Sequence, residues 1–222
     1  MAKLLSLSSD ALASGSSSSY ISRTGIYDVT IKFASVEQSK NGATQVNFNI
    51  EHEGNTQAIF GPYISSKDGK PIAMGIKFLT ELGVLAGLSE GDDLTTEEAS
   101  FKVGKDNKEK EFTIIPELSD LDVKIRLQEE YSSYNGEISK RMVLKAFYRA
   151  KDGASAEEIA NNSEIGVKLA KDQAYASDIT YTDCTAEEVE AWKKAKAEEA
   201  KAPKAEPKTA TKAPGSVFKK QQ

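Results

Sequence analysis

Cations and aromatic rings alternate along residues 121–150, LDVKIRLQEEYSSYNGEISKRMVLKAFYRA. Lys124, Arg126, Lys140, Arg141, Lys145 and Arg149 supply positive charge, and Tyr131, Tyr134 and Phe147 supply flat faces. A single strand of nucleic acid uses both, charge for its phosphates and rings for its bases. Asn135-Gly136 divides the stretch and suits a type I′ turn, in which both central residues take positive φ. A hairpin built on that turn sets Val123 opposite Tyr148, Ile125 opposite Ala146 and Leu127 opposite Leu144 on an apolar face. Its other face pairs Asp122 with Arg149, Lys124 with Phe147, Arg126 with Lys145 and Glu130 with Arg141. Like charges directly opposite cost up to about 1 kcal/mol, so the middle of this face calls for a covering anion. A bound strand would supply one. The plainer reading is a solvated face on which Lys and Arg lay their stems along the sheet.

Other chemistry is thin. His52 is the only histidine and Cys184 the only cysteine, which leaves neither an internal disulfide nor a His/Cys zinc site. The hairpin register expected for the strands around His52 turns it inward opposite Ile31. No phosphate loop of the GxxxxGK type occurs. Glu90, Asp92, Asp93, Glu97 and Glu98 cluster, but without the spacing of an EF-hand loop. The sequence thus implies no cofactor, no metal and no enzyme.

The chain has 222 residues, 39% of them hydrophobic, and a net charge of −5, enough for one domain with appendages. Residues 201–222 hold Lys201, Lys204, Lys208, Lys212, Lys219 and Lys220 against Glu206, so the remainder is more acidic than the net value suggests. An acidic body disfavours general coating of duplexes but permits a local basic groove. The start, MAKLLSLSSDALASGSSSS, lacks the continuous apolar core of a signal peptide, and Ile72–Leu88 is short for a membrane span. The expectation is a cytoplasmic protein with no membrane contact.

The elements that must position these residues follow from periodicity. Residues 1–23 are Ser-rich and expected to be disordered, with order beginning near Gly25. Tyr27, Val29, Ile31 and Phe33 alternate with polar residues, as do Val46, Phe48 and Ile50, around Asn41-Gly42. A two-residue turn there pairs Phe33 with Ile50 inside and Lys32 with Glu51 outside, leaving Gln45, Asn47 and Asn49 to face outward. A third strand spans Thr56–Ile64 with Phe60 and Tyr63, whose faces stay open. Asp68-Gly69 marks a turn, and helical spacing follows over Ala73–Leu88, weakened by Gly75, Gly83 and Gly87. Phe101–Val103 and Glu111–Ile115 flank a polar turn and suit a small hairpin. After Lys151 the pattern is helical: Ser155 with Glu158 and Thr185 with Glu188 fit capping boxes, with residues 171–183 irregular between them. Trp192 reads as an anchor for the last helix or as a stacking ring. From Lys201 the Lys/Ala/Pro composition predicts a disordered tail.

Three strands, a helix and a long strand pair are the order of a five-stranded antiparallel OB-like barrel, with its helix between strands three and four. The expected division is a tail at 1–23, the barrel at 24–150, a helical extension at 151–200 and a basic tail at 201–222. Such a fold binds oligonucleotides or oligosaccharides across an open sheet face; a carbohydrate-binding barrel would favour Trp on that face, and the only Trp lies outside the barrel. The candidate contacts are Lys124, Arg126, Tyr131, Tyr134, Lys140, Arg141, Lys145, Phe147, Arg149, Asn47, Asn49, Phe60 and Tyr63.

Over residues 25–150 the chain resembles bacteriophage-encoded single-stranded-DNA-binding proteins. The resemblance lies in GIYDVTIKFASVEQSKNGATQVNFNIEHEG, MGIKFLTELGVLAGL and LDVKIRLQEEYSSYNGEISKRMVLKAFY. It implies a non-enzymatic protein that coats single-stranded DNA in phage replication or recombination, with replication or recombination proteins as partners and a homo-oligomer as an open possibility. The tail departs from the acidic tails common in that family and ends GSVFKKQQ. The alternative is a phage structural or assembly protein whose barrel face meets other proteins.

Overall fold

The computed structural model describes residues 20–104 and 108–201. The readings of residues 1–19 and of the basic tail beyond Lys201 lie outside them. The fold is mainly β, one eight-stranded sheet with a minority of helix. Strands β1 (Gly25–Gln38), β2 (Thr44–His52) and β3 (Asn55–Ser65) form a meander. Glu53 and Gly54, both at positive φ, make the tight turn between β2 and β3. Order begins earlier than Gly25: Ile21 is buried, its N–H donates to Gln57 Oε1 at 2.8 Å, and Thr24 Oγ1 accepts from the Glu129 N–H.

The β1–β2 register differs from expectation by one residue. Only Gly42 takes positive φ at the Asn41-Gly42 tip, and its N–H donates to the Ser39 carbonyl. A type I′ turn needs positive φ at both positions, so the loop runs Ser39–Ala43 and Val36 faces Val46. A bulge at Lys32 then shifts the ladder again, placing Ile31 opposite Ile50 and Phe33 opposite Asn49. A one-residue slip exchanges the faces of a strand. Phe33 therefore leaves the main core for the opposite face, while Ile31, Ala34, Val46, Phe48 and Ile50 fill that core. His52 is not inside opposite Ile31; its Nδ1 lies 2.9 Å from the Asp28 carbonyl and its ring stands edge-on to Tyr27.

Helix α1 (Ala73–Ala86) lays Leu79, Leu82 and Leu85 on the core, whereas Ile76 is exposed. Of its two glycines and the glycine that caps it, two are required where they stand. A Cβ on Gly75 would run into the Tyr63 carbonyl oxygen of β3, and Gly87 caps the C-terminus at φ 93°. Strands β4 (Glu97–Val103) and β5 (Lys108–Ile115) form the small hairpin, joined to β1 through Ala34–Ile115 and Ser35–Ile114. A 3₁₀ turn at Pro116–Leu118 leads into the long hairpin, β6 (Leu121–Tyr134) and β7 (Glu137–Arg149).

The long hairpin follows the expected register only near its tip. Asn135 and Gly136 both have positive φ, and pairing runs as expected from Tyr134–Glu137 to Leu127–Leu144. There Lys145 bulges out, after which Arg126 faces Ala146, Ile125 faces Phe147 and Lys124 faces Tyr148. β6 pairs with β1 along its first half and with the short strand β8 (Thr180–Thr182), in parallel, near its end. β8 occupies part of the stretch expected to be irregular. Helices α2 (Ala156–Ala160), α3 (Val167–Gln173) and α4 (Ala186–Lys201) complete the extension. Both capping boxes form, at Ser155/Glu158 and Thr185/Glu188. β3 approaches β7 without a ladder between them, so the sheet is not closed. No helix among the described residues is long and apolar enough to cross a membrane.

Candidate nucleic-acid interface

The long hairpin does not present its cations and rings on one open surface. Phe147, expected to face outward beside Lys124 and Arg126, is 4% exposed and packs edge-on against Phe48 and Phe78. The Lys145 bulge is the cause, because it turns Phe147 to the core and Tyr148 to the far side. Tyr131 is also buried, stacked on Tyr181 and edge-on to Trp192 at 6.2 Å. Trp192 thus anchors α4 on the hairpin.

The covering anions that this face calls for come from the chain itself. Asp28 binds Lys124. Asp172 of α3 accepts from Arg126 Nη1 at 2.9 Å and also from the Tyr148 hydroxyl. Burial first, then Asp172, pushes the Tyr148 hydroxyl far above its usual range. Glu130 accepts from Lys145 at 2.5 Å and from Arg141 at 2.6 and 2.9 Å. Burial pushes the Glu130 carboxyl up, but these two cations outweigh it and hold it below its usual value. Lys140 reaches Glu129 at 3.2 Å and the Ser22 carbonyl at 3.1 Å, and Arg149 forks onto Asp152. Tyr134 stands at the tip, 80% exposed.

A different surface gathers rings, amides and lysines. The outer face of β1–β3 and the β4–β5 hairpin enclose a groove of about 600 Å3. Phe33, Phe101 and Phe112 form its inner wall and tie the hairpin to the sheet, Phe33 stacking on Phe101 at 4.0 Å. Asn47, Asn49 and Phe60 line it, three of the residues expected to touch nucleic acid. Phe60 pairs with Asn47 across β2–β3 and is 72% exposed. Lys32, Lys102, Lys110 and Glu37 also line it; Lys110 Nζ lies 4.6 Å from the Phe112 ring centre, and Lys32 pairs with Asp120 at 2.5 Å. Strand β5 alternates its charge by face, whereas Lys102 of β4 stands opposite Glu109. Lys108, Lys110 and Phe112 alternate with Glu109 and Glu111, and the register puts the first set with Phe101 and Val103. Tyr63 is exposed opposite Gln45 but does not line the groove.

Sequence reasoning missed Tyr20, Lys32, Phe33, Phe101, Lys110 and Phe112 at this site. Alternation in EASFKV and KEKEFTII marks an apolar face, but only the slip at Lys32 supplies Phe33 as its partner. The acidic cluster is used structurally: Asp92, before β4, accepts from the Ser89 N–H, and Glu98, within β4, accepts from the Thr113 hydroxyl.

The fold and groove together define a mainly antiparallel β protein with an aromatic, lysine-bearing cleft beside an open sheet. No protein-family model matches the chain, and no curated protein matches it.

Proposed function

We propose that this chain is a non-enzymatic single-stranded-DNA-binding protein whose ligand runs along the groove between β1–β3 and the β4–β5 hairpin. The observation that carries the reading is Phe60, a large ring 72% exposed on a strand, with Asn47 and Asn49 beside it and lysines across the groove. A stacked base contributes about 1–3 kcal/mol, whatever its identity. Lys32, Lys102 and Lys110 outnumber Glu37 in the groove lining, which favours phosphates there while the acidic remainder of the chain repels them. The finer reading of the fold goes with this. β1, β2, β3, β6 and β7, with α1 after the third, follow the order of an OB-like barrel left open between β3 and β7, with β4–β5 as an insertion. Such barrels bind single strands across the second and third strands, the side on which Asn47 and Phe60 stand. A role in phage replication or recombination rests on the resemblance of residues 25–150.

Titrating the full chain into labelled oligo-dT at about 50 and 200 mM salt tests the reading, because phosphate contacts weaken as salt rises. Saturable binding that falls with salt supports it. No anisotropy change at low salt with any single strand overturns it. One observation favours an assembly protein instead: Met74 and Ile76 are exposed on α1. That alternative gives large particles in light scattering and no affinity for nucleic acid.

A further inference from the structure

Asn47 is 6% exposed, yet its Oδ1 has no hydrogen-bond donor. Leaving a buried polar atom unpaired is unfavourable. Ser35, its partner on β1, is also buried and turns its hydroxyl to Glu37. Asn47 lines the groove directly opposite Phe60. Directly opposed residues on one face have Cβ atoms about 5 Å apart, so a base lying on the Phe60 ring presents its edge to the Asn47 amide. The terminal torsion of Asn is broad and roughly two-fold. A half-turn about it exchanges Oδ1 with Nδ2, which brings the oxygen out of the buried position and puts the amino group there.

We propose that Asn47 is a specificity-determining residue, whose Oδ1 accepts an N–H from the edge of the base stacked on Phe60. This rests on the single-strand reading above and deepens it. Backbone contacts and stacking bind any strand, whereas an acceptor fixed beside the stacking ring favours a base that offers a donor. Thymine has one donor on its edge, the ring N3–H, and methylation at N3 removes it while leaving the ring and backbone in place.

The experiment compares oligo-dT with the same strand built from N3-methylthymidine, on the full chain and on Asn47→Leu. The native chain is expected to bind oligo-dT about tenfold more tightly than the methylated strand, the size of effect for one buried donor–acceptor pair. Asn47→Leu is expected to bind both strands alike and to melt no lower than the native chain, since leucine fills the site without an orphan oxygen. A purely structural asparagine gives the reverse, a lower melting temperature with discrimination intact, and overturns the proposal. Equal binding of the two strands by the native chain also overturns it, whether or not the variant folds, and leaves the single-strand reading standing. If no strand binds the native chain, that reading fails and this inference fails with it.

Discussion

Two phenylalanines exchange the roles that their sequence positions suggest. Phe147, which alternation puts on a binding face, is a core residue against Phe48 and Phe78. Phe147→Ala is therefore expected to cost about 3–5 kcal/mol of stability in denaturant unfolding. Phe60→Ala has the opposite profile. It is expected to weaken oligo-dT binding by about 1–3 kcal/mol while shifting stability by no more than about 0.5 kcal/mol, read by anisotropy and by thermal melting. Arg126 is held rather than free, because Asp172 and the Tyr175 carbonyl take its guanidinium under α3. Asp172→Ala leaves that cation buried and unpaired, and is expected to cost about 3–5 kcal/mol. A change within about 0.5 kcal/mol would show that Arg126 reaches solvent.

At the scale of elements, helix α1 separates propensity from packing. Alanine exceeds glycine by nearly 1 kcal/mol inside a helix, and by that rule Gly75→Ala and Gly83→Ala both stabilise. The neighbours decide otherwise. At Gly83 an added methyl meets only the Leu88 side chain, Cδ1 at 3.4 Å and Cβ at 4.0 Å, so a gain of up to about 1 kcal/mol is expected. At Gly75 it meets the β3 backbone, and a loss of about 1–3 kcal/mol is expected as the helix is forced off the sheet. Matched chemical denaturation of the two variants checks both signs. The α2–α3 turn depends in the same way on Glu158, whose carboxylate accepts from the N–H groups of Ser155, Gly166 and Lys168.

Across the whole molecule, carboxylates rather than solvent hold most of the hairpin cations, and this gives stability a direction with pH. Burial pushes the Glu158 carboxyl up, but the Lys168, Ser155 and Gly166 N–H groups outweigh it and hold it below its usual range. Glu130 is lowered by Lys145 and Arg141 against the same burial. The hydrogen bond from Arg149 brings Asp152 down to about 2. A carboxyl depressed by folding contributes stability that is complete above its unfolded value, about 4.3 for Glu and 3.9 for Asp. That contribution is lost as pH falls through the folded value. The melting temperature is thus expected to be level from neutrality to about pH 5 and to fall steeply below about pH 4. Glu130→Gln should lower it at neutrality and flatten the acid limb. An acid limb unchanged in that variant would remove Glu130 from the account.

Local chemistry was sufficient for much of this chain. The Asn135-Gly136 turn, the helix from Ala73, the two capping boxes and the small β4–β5 hairpin all follow from residues within a few positions of one another, because turn angles, caps and periodicity are near-neighbour effects. What local chemistry leaves open is register beyond a turn. The bulges at Lys32 and Lys145 each reverse which side of a strand faces inward, and extrapolating a register from the turn carries it straight past them. Those two residues moved Phe33 into the groove wall and Phe147 into the core. The partners of the hairpin cations were equally out of reach, since Asp28 and Asp172 meet Lys124 and Arg126 only after β1 and α3 have packed on β6. Composition alone shows that the chain carries rings and lysines; only tertiary packing decides which of them share an open face.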